Sequence, residues 1–155
     1  MANQPQVRWF NSQNTAQVDN WNIGTVDAGS TSPETTLLIW NNRGGTTVAS
    51  DMKNVTITTK DSKGDNTGEL VTDKWIKVKV ATMSETSFTP IGGETTKSIK
   101  AGGTTAAGTI SGAINDGTTT NALNNFAKVT LIAEPSATAT AGNVDFLLRV
   151  AYQYS

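Results

Sequence analysis

The chain has no histidine and no cysteine among its 155 residues. Without histidine it has no side chain whose ordinary pKa lies near neutrality, and it lacks the commonest metal ligand. Without cysteine there is no thiolate nucleophile, no zinc knuckle, no disulfide and no redox switch. Charge is scarce as well, at 16% of residues with a formal net charge of −1. Such a surface recruits neither nucleic acid nor an anionic membrane, and it only weakly repels copies of itself. No apolar run approaches the roughly 20 residues that span a bilayer. Met1-Ala2-Asn3-Gln4-Pro5 has neither the basic segment nor the apolar one of a secretory signal. These features predict a chain made and folded in a cytoplasm, with no metal and no cofactor.

What is present is threonine, asparagine, serine and glycine between short apolar runs. At 16.3 kDa, residues 1–155 read as one domain. The alternation of β-type runs with Gly/Asn/Asp/Ser turns predicts an all-β fold, a single antiparallel β-sandwich. The clearest strand is the last, Asn143 to Tyr154, where every even position from Val144 onward is apolar or aromatic. Lys74 to Val80 alternates too, with Ile76, Val78 and Val80 on one face and Trp75, Lys77 and Lys79 on the other. Asn54 to Thr59 places Val55 and Ile57 inward, and Asp61 to Gly68 then reads as a hairpin loop toward the strand at Trp75. Thr36 to Trp40 is a continuous apolar run, expected to be covered on both faces. Ala127 to Ala133 is the penultimate strand. Weaker strands are expected at Gln6 to Phe10, Trp21 to Val26, Ser87 to Ile91 and Lys97 to Ala101. Residues 102–125, rich in Gly, Thr and Asn, read as a flexible surface excursion with a short strand at Thr109 to Ile114. The expected core is Leu37, Ile39, Val55, Ile57, Ile76, Val78, Val129, Leu131, Phe146, Leu148 and Val150.

Several motifs invite chemistry. Asp61 to Glu69 spaces carboxylates as a calcium loop does, but Lys63 puts a cation where a ligand oxygen belongs. Asn42-Arg43-Gly44-Gly45 contains one Arg-Gly-Gly, which suits a turn better than RNA binding. Asn54-Val55-Thr56 matches a glycosylation sequon inside a strand. Trp9, Trp21, Trp40 and Trp75 are many indoles for a small domain. Trp75 and Trp9, with Lys77 and Lys79 beside Trp75, are the candidate contacts to a partner protein or a glycan. A hydrolase working through two carboxylates would have to draw on Glu34, Glu69, Glu85, Glu94 and Glu134, which are scattered over turns and strand ends. No catalytic residue is assigned.

The segment Ile23-Gly24-Thr25-Val26-Asp27-Ala28-Gly29-Ser30-Thr31-Ser32-Pro33-Glu34, running into Leu37-Leu38-Ile39-Trp40-Asn41-Asn42, resembles the opening of immunoglobulin-like modules, although the Cys…Trp…Cys signature of antibody domains is absent. More widely, the chain resembles small structural proteins of tailed bacteriophages and phage tail-like particles. That likeness lies in Trp40-Asn41-Asn42-Arg43-Gly44-Gly45, the strand around Lys74-Trp75-Ile76, Phe88-Thr89-Pro90-Ile91-Gly92-Gly93, and the ending Phe146 to Tyr154. It implies a non-enzymatic virion component, on the tail and baseplate or as a capsid decoration, whose partners are other virion proteins and copies of itself. The excursion and the chain ends are its expected contact elements. The alternative is a carbohydrate-binding module using an exposed tryptophan; a polysaccharide hydrolase comes third.

Overall fold

The computed structural model describes residues 3–155; Met1 and Ala2, part of the segment read above for a secretory signal, lie outside it. Among the described residues, eight strands form two antiparallel sheets. They are β1 (Val7–Asn11), β2 (Thr35–Asn41), β3 (Lys53–Asp61), β4 (Ile76–Val80), β5 (Thr89–Ile91), β6 (Lys97–Ser98), β7 (Phe126–Ala133) and β8 (Phe146–Gln153). One sheet has the order β1-β2-β7-β4-β5 and the other β6-β3-β8. The protein is an all-β sandwich. A four-residue helix, α1 (Glu69–Thr72), joins β3 to β4, and among the described residues no helix is long and apolar enough to cross a membrane.

Period-two patterning explains the inter-sheet core. Leu37, Ile39, Val55, Ile57, Ile76, Val78, Val129 and Leu131 are all buried there, with Met52, Ile91, Ile99 and Ile110. Truncating one of these to Ala removes its burial and leaves a cavity, at a cost of about 2–5 kcal/mol. The run at β2 is covered on both faces, as expected. Leu38 and Trp40 face away from the sheet interface and join Phe10, Ala122 and Phe126 in a second apolar cluster. The three expected core residues of β8 are only half-buried. Phe146, Leu148 and Val150 point inward from the margin of a sheet two strands narrower than the one it covers.

The pairing is nested: β2 bonds β7, β3 bonds β6 and β4 bonds β5. This differs from antibody-type domains, where the first strands share a sheet with the fourth and fifth and the third pairs with the last two.

Three expected local features come out differently. Asp61 to Gly68 is not a hairpin loop, because β3 and β4 belong to different sheets. The Asp61 carboxylate instead accepts hydrogen bonds from the backbone N–H groups of Lys63 and Asp65, at 2.9 and 2.8 Å, and from the Thr67 hydroxyl. The turn so formed hands the chain to α1, which buries Leu70 and Val71 on the way across. Trp21 to Val26 forms no strand. Gly24 sits at φ 79° and its N–H is held by Asn22 Oδ1 at 3.0 Å, which bends the backbone out of an extended path. Thr109 to Ile114 contributes only one bridge, Ile110 to Met52.

On β3 the inward positions Val55 and Ile57 are followed by Thr59, fully buried, whose hydroxyl has no hydrogen-bond partner among the described residues. A desolvated hydroxyl without a partner destabilises the fold. The isosteric Thr59→Val should therefore raise stability by about 1 kcal/mol, read as a higher denaturant midpoint at unchanged m-value. A lower midpoint would refute the assignment.

Candidate functional site

The four residues singled out for partner or glycan contact do not form one surface. Trp75 is 6% exposed, which corrects its expected outward position. Lys74, at φ 54°, turns the backbone left-handed between α1 and β4. The alternation counted back from Ile76 breaks there, and Trp75 swings inward to join Leu70 and Val71 in the core. Its backbone N–H donates to the Leu70 carbonyl at 3.0 Å, while its buried indole N–H has no partner among the described residues. Lys77 and Lys79 do lie on the outer face of β4, but both are engaged within the chain. Lys77 Nζ pairs with Glu134 at 3.0 Å, and Lys79 Nζ stands 4.8 Å over the Phe88 ring. Trp9 is half-buried against the core from β1, separated from β4 by β2 and β7.

The carboxylates are dispersed too. Glu85 bonds Lys97 and the Val80 N–H. Glu69 accepts hydrogen bonds from the Thr140 hydroxyl and N–H, which hold its carboxyl below the usual range.

What the fold does assemble lies at the end of β2 and the start of β7, and it is built from asparagine. Asn41, fully buried, accepts the Gln6 N–H at 3.0 Å and donates to the carbonyls of Ser50 and Ile110. Asn42, at φ 60°, donates to Thr47 and Gly112 carbonyls, both at 2.9 Å. Asn125 donates to the carbonyls of Ser111 and Ala113 at 2.9 Å and of Asn41 at 3.3 Å. Asn115 holds Gly44 N–H and Gly117 N–H on its Oδ1 and gives its amide to the Asn42 carbonyl at 2.7 Å. Each side chain presents a donor and an acceptor in the geometry of a peptide group, so it satisfies loop backbone that has no strand partner.

These bonds correct the expectation of a free excursion at 102–125. The stretch carries little regular structure, yet Gly108, Ile110, Gly112, Asn115 and Asn125 bond it to residues 41–55. Further backbone bonds tie Met52 to Ile110, Ala49 to Gly112 and Val55 to Gly108. Its Ala122 closes the outer apolar cluster over Trp40. Arg43, the arginine of the Arg-Gly-Gly, is committed to the same face. Its Nε donates to Asn14 Oδ1 at 2.9 Å and its guanidinium lies 3.9 Å from the Phe10 ring centroid.

The knitted loops surround a shallow depression of about 430 Å³, lined by Thr104, Ile114, Asn115, Asp116, Leu123 and Asn124. Ile114 is 57% exposed and Leu123 45%. Asp116 organises the rim: its Oδ1 accepts the Thr118 N–H and hydroxyl, and its Oδ2 accepts the Asn121 amide at 2.7 Å. The Asn121 donor foremost, and then Thr118, bring its pKa down to about 2. The arrangement offers apolar side chains in a frame of neutral amides, which suits contact with another macromolecule. The excursion 102–125 that carries these residues was the expected contact element as a whole, but no asparagine in it was expected to pin it. The available signal was the clustering of asparagine at strand ends, Asn41-Asn42 after Trp40 and Asn124-Asn125 before Phe126. Comparison with protein-family models and with curated proteins finds no match to this chain.

Replacing Asn125 by Leu leaves the Asn41, Ser111 and Ala113 carbonyls without that donor. A loss of about 2–4 kcal/mol is expected, with faster hydrogen exchange at the Ile110 and Gly112 amides; unchanged exchange there would show that the loop holds itself. Asp116 has a lowered folded pKa, so its contribution is complete above the ordinary value of 3.8 and fades as pH falls toward about 2. The amide resonances of Thr118 and Asn121 should titrate in that window and should stop doing so in Asp116→Asn.

Proposed function

We propose that this protein is a non-enzymatic structural component that docks on a large particle, the virion of a tailed bacteriophage or a phage tail-like assembly, at the tail, the baseplate or the capsid exterior. The observation that carries this reading is the pinned loop face. Ile114 and Leu123 stand exposed on backbone that Asn115, Asn125 and Asp116 already hold in place. Contact residues fixed before binding lose little conformational entropy on docking, so a modest apolar patch suffices. The low charge of the chain leaves that patch without strong repulsion from a neighbouring protein surface. The resemblance to phage structural proteins supplies the kind of particle. The carbohydrate-binding alternative loses its leading residue, since Trp75 has no exposed ring face to stack on a sugar.

Immunogold electron microscopy of particles from a producing culture, with antibody against this chain, tests the reading. Label over heads identifies a capsid decoration protein, and label at tail tips a baseplate or fibre component. Absence of label from every particle overturns the virion assignment and puts glycan binding first. Purified protein added back to particles stripped of it should rebind, and Ile114→Lys with Leu123→Lys should abolish rebinding without unfolding the domain. Undiminished rebinding by that variant would move the docking face elsewhere on the molecule.

A further inference from the structure

We propose that the outer edge of β8 pairs with the same edge of a second copy of this chain, antiparallel and about a two-fold axis at Leu147. β8 is the margin of its sheet, eight residues long, and among the described residues it pairs with β3 alone. Among the described residues no backbone hydrogen bond reaches its other side. The pairing from Thr56–Ala151 to Asp61–Phe146 runs without a bulge, so the strand keeps a regular edge. Edges of that length are normally blunted by a bulge, a proline or a covering segment. The nesting of the sheets leaves the same place open: β2 is matched with β7, β3 with β6 and β4 with β5, while β1 is spent on the far margin of the other sheet. The inward side chains record the vacancy. Phe146, Leu148, Val150 and Tyr152 face the core yet remain half-exposed for lack of a strand beside them.

The sequence of the edge selects a second copy as the occupant. A two-fold axis normal to the sheet matches residues whose numbers add to a constant, and that constant is even if inward side chains are to meet inward ones. With Leu147 on the axis, Asp145 of each chain faces Arg149 of the other on the outer face, making two opposite-charge pairs. Leu147, 46% exposed, meets its own copy, and Val144, 48% exposed, meets Val150 on the inner face. Moving the axis to Arg149 would set two like charges against each other. Moving it to Leu148 would leave Asp145 opposite Ala151. Directly opposed ion pairs and apolar pairs are the unit of sheet stabilisation, so the Leu147 register is the one the side chains specify. It needs β8 to extend by two residues, to Val144, and it joins two three-stranded sheets into one of six strands. The pairing deepens the assembly reading and rests on it for its purpose, but its evidence is separate from the loop face.

Sedimentation velocity on the full chain, at concentrations from low to high micromolar, is the test. A species of twice the 16.3 kDa monomer mass should grow with concentration. Asp145→Arg alone and Arg149→Asp alone should each weaken the dimer about tenfold, since each turns two attractive pairs into two repulsive ones. The double variant Asp145→Arg with Arg149→Asp should restore it. Both residues are exposed, so circular dichroism should show the fold intact in all three. A chain that stays monomeric at every concentration overturns the proposal, and so does a dimer indifferent to the single reversals. A monomer in which the β8 amides that point away from β3 are nevertheless protected from exchange would assign the edge to the chain's own Trp21 to Val26 segment, and that too overturns it. A monomer that still labels particles leaves the docking reading standing without the pairing. A dimer with the charge signature that labels no particle does the reverse.

Discussion

The sandwich depends on asparagine acting as a substitute for backbone. The region between β6 and β7 is too poor in large apolar residues to order itself by burial, and it makes almost no strand. Unpaired peptide groups would normally force such a segment into solvent. Here the amides of Asn41, Asn42, Asn115 and Asn125 supply the missing donors and acceptors. Because Asn41 ends β2, Asn42 follows it and Asn125 immediately precedes β7, the two longest strands of the large sheet anchor the network directly. The loop then returns the favour by laying Ala122 over the outer cluster around Trp40. Polar satisfaction and apolar cover are thus two aspects of one closure, and loss of either would expose the other.

The two ends of the molecule solve different problems. At the asparagine end, loops are tied down and apolar side chains are left deliberately outside, as with Ile114 and Leu123. At the β8 side, the apolar side chains point in but the sheet that carries them is narrow, so they are covered only in part. Trp21 softens that exposure by setting its ring edge-on to Phe146 at 5.9 Å and its indole N–H on Thr35 Oγ1 at 3.1 Å. It does so without lending any backbone to the strand.

Where a strand shows strict period two between clear turns, its residues reveal both its existence and its inward face, as for β3, β4 and β7. The continuous run in β2 also announced its double cover, because Leu37-Leu38-Ile39-Trp40 leaves no polar side to turn to water. The misreadings have local causes. One left-handed residue, Lys74, reversed the expected side of Trp75, and a side-chain bond from Asn22 to Gly24 removed a strand. Alternation reports which side of a strand is which; it cannot report a backbone turn one residue before the strand begins. The partition of β3 and β4 between sheets was equally invisible, since an Asp/Gly-rich connection looks alike whether it reverses the chain or carries it across. The pinning of the loop face escaped notice for a deeper reason. Asparagine is read as a turn former, and the long-range bonds from Asn125 to Ser111 and from Asn41 to Ile110 leave no periodic trace.

The nesting of β2 with β7 also sets a timetable. Thr35 pairs with Leu131, and no strand made in between can take that place. A ribosome adding about 5–20 residues per second needs roughly 5–20 s to make the intervening stretch. During that interval the nascent run Leu37-Leu38-Ile39-Trp40 has only β1 beside it, with both of its faces apolar and no charge of its own to keep other chains away. The exposed interval is therefore set by translation speed, which makes the order of synthesis a constraint separate from the stability of the finished sandwich.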